Sequence, residues 1–580
     1  MGSFDLKSGY YIGVDVGTGS ARACIIDGEG TILAVASKDI TKWEPKQDYF
    51  NQSSQEIWEN ICYCTAQVVK DAGVDPKDVL GLGFDATCSL VVLNEKDDTP
   101  VAVGPDFDNS YQNIILWMDH RAPKQTKEIN KTGHNLLKYV GGQMSIEMEI
   151  PKAKWLKENM PAGQFEKCKF YDLADWLTHK ATGSEARSFC STVCKQGYVP
   201  VGVDGSMKGW SEEFLNSVGL SELAEDNFRR LGGVVNENGE YHSAGAFLGH
   251  LTEASAKELG LSTNTAVGSG VIDAYSGWIG TVAAKTDKIE EKGDVDDPDN
   301  VTHRLAAVAG TSTCHLVMSK DPVFVPGVWG PYRDVLVPNR WMAEGGQSTT
   351  GQLLHHVITY HPASQQLADE AKKQGISKFE VLNNRLEQLQ KEQGAPSIVY
   401  LARHLFFYGD LYGNRSPIAN PAMRGDIVGQ SMDVSLDALA IEYLAAVEFI
   451  GQQTRHIVES LNKAGHHISQ IYLSGGQCRN PILTKLMANC TGMPIIMPKY
   501  IDAAVVQGTA MLGAMAASKD QLTLWEVMCK LSGTGSAVLP DEAGSIDKKL
   551  LEAKYQVFLE QTERQQKYRK IVNDALGIED

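Results

Sequence analysis

The stretch Ile12–Asp27, IGVDVGTGSARACIID, has a counterpart far downstream in Ala306–Ser319, AAVAGTSTCHLVMS. In each stretch an apolar run typical of a strand leads into Gly-Thr, a hydroxyl residue follows, and a second apolar run returns. The pattern predicts two strands joined by a tight glycine turn whose backbone N–H groups can point at phosphate oxygens. Two such hairpins suggest two related lobes that hold one polyphosphate from both sides.

Asp15 stands two residues before Gly17 in the first of these hairpins. A carboxylate beside a phosphate loop repels phosphate unless a cation lies between them, so Asp15 is a candidate for holding Mg²⁺ through water. The alternative is that Asp15 only caps a β-turn. The chain contains no Gly-Lys dipeptide. Any ATP site is therefore expected to use the two hairpins and not a Walker A loop.

Composition limits the class of protein. With 580 residues the chain exceeds a single hydrophobic core, which stops growing near roughly 250–300 residues, so at least two domains are expected. A net charge of −18 argues against nucleic acid or an acidic membrane as partner. None of the 11 cysteines forms a CxxC pair, no signal-peptide pattern opens the sequence, and no apolar run approaches a membrane span. We expect reduced thiols and a cytoplasmic location.

Helix and strand signals alternate along the chain, which predicts an α/β fold with polar residues at the strand ends. Ser53 and Glu56 form a candidate capping box for a helix, and the apolar strand after that helix ends at Asp85. Further predicted elements are the helix Leu436–Lys463 ended by Gly465, the strand His467–Leu473, a helix opened by Asn480-Pro481, the Ala- and Gly-rich segment Asp502–Ala517 suited to packing on a sheet, and a charged surface helix from Asp547.

The segment Thr286–Asn300 has the composition of a linker, because it is acidic, contains Gly and Pro, and has only two apolar residues. It lies just before the second Gly-Thr hairpin. We interpret it as a solvated insertion at a lobe boundary, and the boundary itself is expected between Trp278 and Val301.

Asp273 lies among small residues in AVGSGVIDAYSGW. A carboxylate in an uncrowded turn lets a substrate approach closely, and it can accept the proton of an attacking hydroxyl group. The alternative is an aspartate that caps a helix N-terminus. Gly346 in AEGGQSTTGQ and Gly476 in SGGQCRN also precede predicted helices and fit close approach of a ligand, but each is a weak signal on its own, and a plain helix-start turn is the alternative. Cys190 and Cys194 are interpreted as free core thiols, since no other metal-type cluster accompanies them.

Taken together and in order, these segments resemble the FGGY carbohydrate kinases of the actin, Hsp70 and hexokinase superfamily. The resemblance extends from about Gly13 to Ala517. It implies an α/β fold of two ribonuclease H-like domains with a cleft between them. The implied division is an N-terminal domain over residues 10–285, a C-terminal domain over 301–550 and a helical tail over 551–580. Family members are often dimers, so a homodimer is expected by analogy alone.

The resemblance also implies roles for individual residues. DVGTGSAR matches the first phosphate motif of the family, AGTSTC the second, GVIDAYSG the segment of the catalytic aspartate, and SGGQCRN the adenosine motif. The implied contacts to ATP are Gly17, Thr18, Ser20, Gly310, Thr311, Gly346, Gly476 and Asn480. Asp15 would hold Mg²⁺, and Asp273 would be the catalytic base.

The sugar-binding segments look most like the ribulokinase branch, and DATCSL at Asp85–Leu90 is the diagnostic segment. The implied contacts to the sugar are Ala86, Thr87, Lys195, Asp273 and Glu344. The expected reaction is ATP-dependent phosphorylation of the terminal O5 hydroxyl of a ketopentose, with D-ribulose as the first choice. L-ribulose, D-xylulose or a tetrulose are alternative substrates. A non-catalytic nucleotide-binding regulator and a chaperone-type or filament-type ATPase are alternatives from other classes.

Overall fold

The computed structural model describes residues 4–289 and 297–578. The middle of the predicted linker, residues 290–296, lies outside the described residues. Two large mixed sheets organise the chain, one on each side of this segment.

The first sheet builds the N-terminal lobe. From edge to edge its strands are Phe247–His250, Ala266–Gly268, Val79–Ala86, Tyr10–Val16, Ser20–Ile26 and Ile32–Asp39, and the short strand Val271–Ile272 also pairs with Val79–Ala86. The strands Tyr10–Val16, Ser20–Ile26 and Ile32–Asp39 form an antiparallel meander. Val79–Ala86 and Ala266–Gly268 continue the sheet in parallel with Tyr10–Val16.

The second sheet builds the C-terminal lobe with the same arrangement. From edge to edge its strands are Trp329–Arg333, Trp341–Gln347, Thr313–Ser319, Arg304–Ala309, Gln470–Ser474, Ile495–Met497 and Ser536–Val538. Here Arg304–Ala309, Thr313–Ser319 and Trp341–Gln347 form the antiparallel meander, and Gln470–Ser474 and Ile495–Met497 continue the sheet in parallel with Arg304–Ala309. This repeated order confirms the expectation of an α/β fold with two ribonuclease H-like domains.

A third sheet of five strands lies in the N-terminal lobe, in the order Trp43–Lys46, Tyr49–Gln52, Ile114–Ile115, Leu90–Asn94 and Cys168–Asp172. Two two-stranded sheets pair Arg187–Ser188 with Tyr241–His242 and Phe406–Tyr408 with Asp426–Val428. The described α-helices are Ser54–Ala72, Pro123–Lys131, Glu149–Asn159, Leu173–Thr182, Phe189–Lys195, Glu212–Ser217, Glu225–Phe228, Glu253–Leu259, Asp273–Ile279, Gly351–Tyr360, Ser364–Gln374, Lys378–Gln393, Leu436–Ala464, Pro481–Thr491, Ala504–Ala517, Leu524–Leu531 and Ile546–Leu576.

Local signals explain most of these boundaries. The long helix predicted to end before Gly465 spans Leu436–Ala464, and Pro481 opens the next helix as expected. The strand predicted from His467 begins only at Gln470. The capping box at the first long helix is half formed, since the Ser53 side chain accepts from the N–H of Glu56 but the Glu56 carboxylate accepts from Thr41 instead.

The helix Ala504–Ala517 belongs to the C-terminal half of the sequence but packs on the N-terminal sheet. Glycines allow this contact. A Cβ added to Gly81 would overlap the carbonyl oxygen of Gly513, and one added to Gly508 would overlap that of Ser276 in the crossing helix Asp273–Ile279. The two crossing helices therefore touch backbone to backbone where the lobes meet.

The final helix runs continuously from Ile546 to Leu576 across the expected domain boundary at residue 550. Its first half is anchored to the C-terminal lobe, because Leu551, Tyr555 and Phe558 are buried there. Among the described residues no helix is long and apolar enough to cross a membrane. All eleven cysteines are free thiols, as the sequence predicts.

Candidate active site

The first Gly-Thr hairpin is held by side-chain hydrogen bonds and is open on its outer side. The carbonyl oxygen of Thr18 accepts a hydrogen bond from Gln52 Nε2 at 2.9 Å, and Thr18 Oγ1 accepts one from Trp117 Nε1 at 2.9 Å. The N–H of Gly17 donates to the Ser20 carbonyl at 3.0 Å and closes the turn. A Cβ added to Gly19 would meet nothing within 4 Å. The turn therefore leaves room for a ligand.

The second hairpin is braced by the segment that follows Glu344. The carbonyl oxygen of Thr311 accepts from the N–H groups of Thr350 at 3.0 Å and Gln352 at 3.1 Å. A Cβ added to Gly351 would lie 2.5 Å from the carbonyl oxygen of Gly310, so only glycine fits at this point. Gly310 and Thr311 themselves are exposed. This arrangement explains why AEGGQSTTG accompanies the second hairpin.

Two carboxylates lie side by side at the base of the first hairpin. Asp15 and Asp85 are direct partners on the parallel strands Tyr10–Val16 and Val79–Ala86, and both are buried. Burial raises the pKa of each carboxyl, and the charge of Asp15 raises that of Asp85 further. The Thr509 hydroxyl donates a hydrogen bond to Asp85. Asp15 lies inside a strand, so it does not cap a β-turn.

Asp273 is placed next to this pair by the same sheet. The strand Val271–Ile272 pairs with Asp85 and Ala86, and Asp273 then opens the helix Asp273–Ile279. Asp273 does not occupy the N-cap position, which belongs to Ile272, and its Oδ1 accepts from the neighbouring Ala274 N–H at 2.7 Å. Burial and the charge of Asp15 raise the pKa of Asp273 to about 7. Such a carboxyl is suited to exchange a proton near neutral pH.

Lys195 and Glu344 form a buried ion pair that joins the two lobes. Lys195 ends the helix Phe189–Lys195, Glu344 lies in the strand Trp341–Gln347, and Lys195 Nζ is 3.2 Å from both carboxylate oxygens. The Tyr275 hydroxyl donates to Glu344 Oε2 at 3.1 Å, and Lys195 Nζ lies 4.4 Å from the centre of the Trp329 ring. Burial alone lowers the pKa of Lys195, but the Glu344 carboxylate outweighs it and the pKa is raised well above its usual value.

Ala86 and Thr87 lie where the strand Val79–Ala86 ends, and both are buried. The Thr87 N–H donates to the carbonyl oxygen of Val16 at 2.9 Å, and Thr87 Oγ1 lies 3.3 Å from Ser89 Oγ. Ala86 pairs with both Val16 and Ile272. Ala86 and Thr87 are thus brought to the same ends of the strands as Asp15 and Asp273.

The predicted adenosine segment follows the strand Gln470–Ser474. Gly475 has φ +93°, and Gly476 is exposed with open space above it. Asn480 instead faces inward. Its Oδ1 caps the helix Pro481–Thr491 and its Nδ2 donates to the Tyr443 hydroxyl at 2.7 Å. Gln477 Nε2 donates to Thr350 Oγ1 at 2.6 Å, which ties this turn to the second hairpin.

Gly346 is buried on the strand Trp341–Gln347, beside the second hairpin. A Cβ added to it would lie 2.8 Å from Arg415 Cδ, so the residue packs on an arginine of the same lobe. Cys190 and Cys194 are both buried, and Cys194 Sγ donates to the Tyr275 hydroxyl at 3.2 Å. This packing agrees with their interpretation as core thiols.

Comparison with known proteins explains the arrangement. The family model described as the N-terminal domain of the FGGY family of carbohydrate kinases matches residues 10–280, and that of the C-terminal domain matches residues 305–517. The chain belongs to the FGGY family of carbohydrate kinases. The resemblance inferred from the motifs is therefore confirmed, and the protein is an enzyme that uses ATP to phosphorylate a small sugar.

Individual FGGY proteins match over nearly the whole chain. A D-ribulokinase of Saccharomyces cerevisiae is 48% identical and covers 99% of this chain and 95% of its own length. An FGGY carbohydrate kinase domain-containing protein of Homo sapiens is 43% identical, with 97% of this chain and 98% of its own covered. The crystal structure of a xylulose kinase from Rhodospirillum rubrum superimposes with a TM-score of 0.73 at 19% identity, covering 96% of this chain and 99% of that one. This last likeness concerns the fold alone.

Sequence reasoning assigns no role to several residues that the structure places beside the predicted site residues. Asp85 is named there as the end of a strand and as the first residue of DATCSL but has no role of its own, and Thr509 falls within the Ala- and Gly-rich segment without being named. Tyr275, Trp329 and Arg415 contact Lys195, Glu344 or their neighbours from distant parts of the chain. The strand-end position of Asp85 was the one local signal that could have identified it.

Proposed function

We propose that this FGGY kinase phosphorylates D-ribulose at its O5 hydroxyl and forms D-ribulose 5-phosphate. The observation that carries the proposal is the buried pair Lys195–Glu344 beside Asp273, because it offers hydroxyl-binding groups next to a carboxyl with a pKa near 7. The choice of sugar is supported by the 48% identity to a protein named D-ribulokinase over 99% of the chain.

In this proposal Asp273 accepts the proton of the O5 hydroxyl and aligns its oxygen with the γ-phosphoryl group. A general base of this kind contributes typically 10²–10⁴-fold to the rate. Ala86, Thr87, Lys195 and Glu344 hold the other hydroxyl groups of the sugar. Sites built to hydrogen-bond particular hydroxyls discriminate strongly, since a wrong sugar leaves buried polar groups unpaired.

The phosphates of ATP are assigned to the backbone of the two hairpins. Gly17, Thr18 and Ser20 contact them from the N-terminal lobe, and Gly310 and Thr311 from the C-terminal lobe. Gly476 supplies the open surface for adenosine. Asn480 holds the turn that carries Gly476, since its side chain already bonds Tyr443 and caps a helix. Gly346 supports the second hairpin through its packing on Arg415.

The donor set beside the first hairpin fits Mg²⁺, because Asp15 and Asp85 offer adjacent carboxylate oxygens and carboxylates are ligands that Mg²⁺ prefers. Asp15 would hold the ion. When bound, it would neutralise charge on the phosphates. Closure of the lobes excludes water from the cleft and limits hydrolysis of ATP.

The test is ADP production from Mg-ATP with a panel of D-ribulose, L-ribulose, D-xylulose, L-xylulose, erythrulose, ribitol and glycerol, and with no sugar. We expect the highest kcat/KM with D-ribulose and little ADP without sugar. Asp273→Asn is the matched control, because it removes the base and keeps the size of the side chain. A preference for another sugar would replace D-ribulose in the proposal. Sugar-independent hydrolysis would refute the kinase mechanism.

A further inference from the structure

A second ion pair, Glu147–Arg415, joins the two lobes in addition to Lys195–Glu344. Arg415 Nη2 lies 3.1 Å from Glu147 Oε1 and 3.3 Å from Glu147 Oε2. Glu147 belongs to the N-terminal lobe, just before the helix Glu149–Asn159, and Arg415 to the C-terminal lobe. Their side chains are only 21% and 12% exposed, so the pair is screened less than one on the surface.

On the C-terminal side, Arg415 is attached to the second phosphate hairpin. Arg415 Nη1 donates a long hydrogen bond of 3.9 Å to Cys314 Sγ, and the strand that begins at Thr313 carries this cysteine. Gly346, the strand partner of Cys314, has no side chain because the arginine stem occupies that space. Arg415 therefore contacts both the second strand of the hairpin and the strand paired with it.

On the N-terminal side, Glu147 is attached to the first phosphate hairpin through a buried lysine. Lys152 Nζ donates to the carbonyl oxygens of Glu147 at 3.1 Å and Trp117 at 3.0 Å. The Trp117 indole then donates to Thr18 Oγ1 at 2.9 Å. A continuous series of polar contacts therefore connects the turn at Thr18 with Arg415.

The loop that carries Arg415 is held by hydrogen bonds on both sides of that residue. Asn414 Nδ2 donates to Asp410 Oδ2 at 2.8 Å, and Ser416 Oγ donates to the carbonyl oxygen of Gly327 at 2.9 Å. The Arg415 guanidinium also lies 5.7 Å from the centre of the Trp329 ring, and Lys195 Nζ lies 4.4 Å from the same centre. Arg415 is therefore held within the C-terminal lobe. It also shares the Trp329 ring with Lys195 of the Lys195–Glu344 pair.

We propose that Glu147 and Arg415 are a positioning pair for phosphoryl transfer: their ion pair forms when the lobes close and sets the two phosphate hairpins at the separation that the reaction needs. Neither residue contacts the reacting atoms. The proposal rests on the two-lobed kinase mechanism and not on the identity of the sugar. Since a misplacement of about 1 Å can cost about 10²-fold in rate, loss of the pair should lower kcat more than affinity.

The kinetic test uses Glu147→Gln, Arg415→Gln and the double variant, with whichever sugar gives the highest wild-type rate. We expect each single change to lower kcat about 10- to 100-fold, with KM for sugar and for ATP changed less than about 3-fold. The kcat of the double variant should be no more than about 3-fold below that of the slower single variant, because each change removes the same interaction. Arg415→Lys, which keeps the charge, should recover part of the rate.

Asp437→Asn is the matched control, because Asp437 pairs with Arg385 at 2.5 Å wholly within the C-terminal lobe. It should keep the wild-type kcat while lowering the melting temperature about as much as Glu147→Gln does. Single-variant rates within about 2-fold of wild type, or losses that multiply in the double variant, would overturn the proposal.

A measurement without sugar separates this proposal from the choice of substrate. The radius of gyration by small-angle X-ray scattering is compared with and without the non-hydrolysable Mg-AMP-PNP. Wild type and Asp437→Asn should become more compact with the nucleotide, and Glu147→Gln and Arg415→Gln should do so less. Equal compaction in all four proteins would contradict a closing role, whatever sugar the enzyme uses.

Discussion

The pKa of Asp273, raised to about 7 by burial and by the charge of Asp15, makes the acid side of the pH profile a direct test of the catalytic base. Asp273 can accept a proton only when its carboxyl group is ionised. Lowering the pH through the pKa therefore removes the active form, and the rate falls as the pH falls.

The size of the effect follows from the pKa itself. With a pKa of about 7, the ionised fraction is about one-half at pH 7, about one-tenth at pH 6 and about one-hundredth at pH 5. A carboxyl at the ordinary value of 3.8 stays more than about nine-tenths ionised at pH 5. Between pH 8 and pH 5 the rate should thus fall about 100-fold if the pKa of Asp273 is about 7, and hardly at all if it is 3.8.

The assay is kcat/KM for the sugar from pH 5 to pH 8.5, because with Mg-ATP bound this parameter reports the ionisation of the enzyme before the sugar binds. Mg-ATP is kept saturating, and ADP is measured directly by chromatography so that no coupling enzyme limits the signal. Circular dichroism at each pH identifies loss of fold. A folded protein whose kcat/KM stays flat down to pH 5 would refute Asp273 as a base with a raised pKa.

Three further tests concern neighbouring parts of the site and fold. Asp273→Asn should lower kcat by about 10²–10⁴-fold and leave sugar and nucleotide affinities within about 3-fold, which calorimetry and steady-state kinetics measure. The charge of Lys195 lowers the pKa of Asp273, so Lys195→Met should move the acid midpoint of kcat/KM to higher pH. The charge of Glu344 raises that pKa, so Glu344→Gln should move the midpoint to lower pH. Opposite shifts, or none, would contradict this electrostatic arrangement. Gly508→Ala should lower stability by about 1–3 kcal/mol in thermal unfolding, since its methyl group overlaps a backbone carbonyl of the crossing helix, and Gly544→Ala, in open space, should not.

The sequence predicted those parts of the fold that local chemistry determines. Gly-Thr turns, an N-terminal proline at Pro481 and a terminating glycine at Gly465 each act within a few residues, so their elements were located correctly. The half-formed capping box shows the limit of this reasoning. Glu56 had a better partner in Thr41, which a local motif does not include.

The contacts that complete the site are distant in the chain. Arg415 and Glu147 are separated by 268 positions, and Lys195 and Glu344 by 149. No periodicity or spacing encodes such pairs, and Lys195 and Glu344 were identified only through the family resemblance. Strand register likewise decided that Asp85 lies beside Asp15, and one residue of slip would have placed it on the opposite face.

The packing of the helix Ala504–Ala517 on the N-terminal sheet has a consequence for synthesis on the ribosome. The last long strand of that sheet, Val79–Ala86, is translated more than 400 residues before the helix that covers its glycines. At typical elongation rates of about 5–20 residues per second, the nascent sheet waits roughly 20–80 s for its covering helix. Chaperone binding to nascent chains that end between residues 280 and 500 is therefore expected to exceed binding to chains that extend past residue 520.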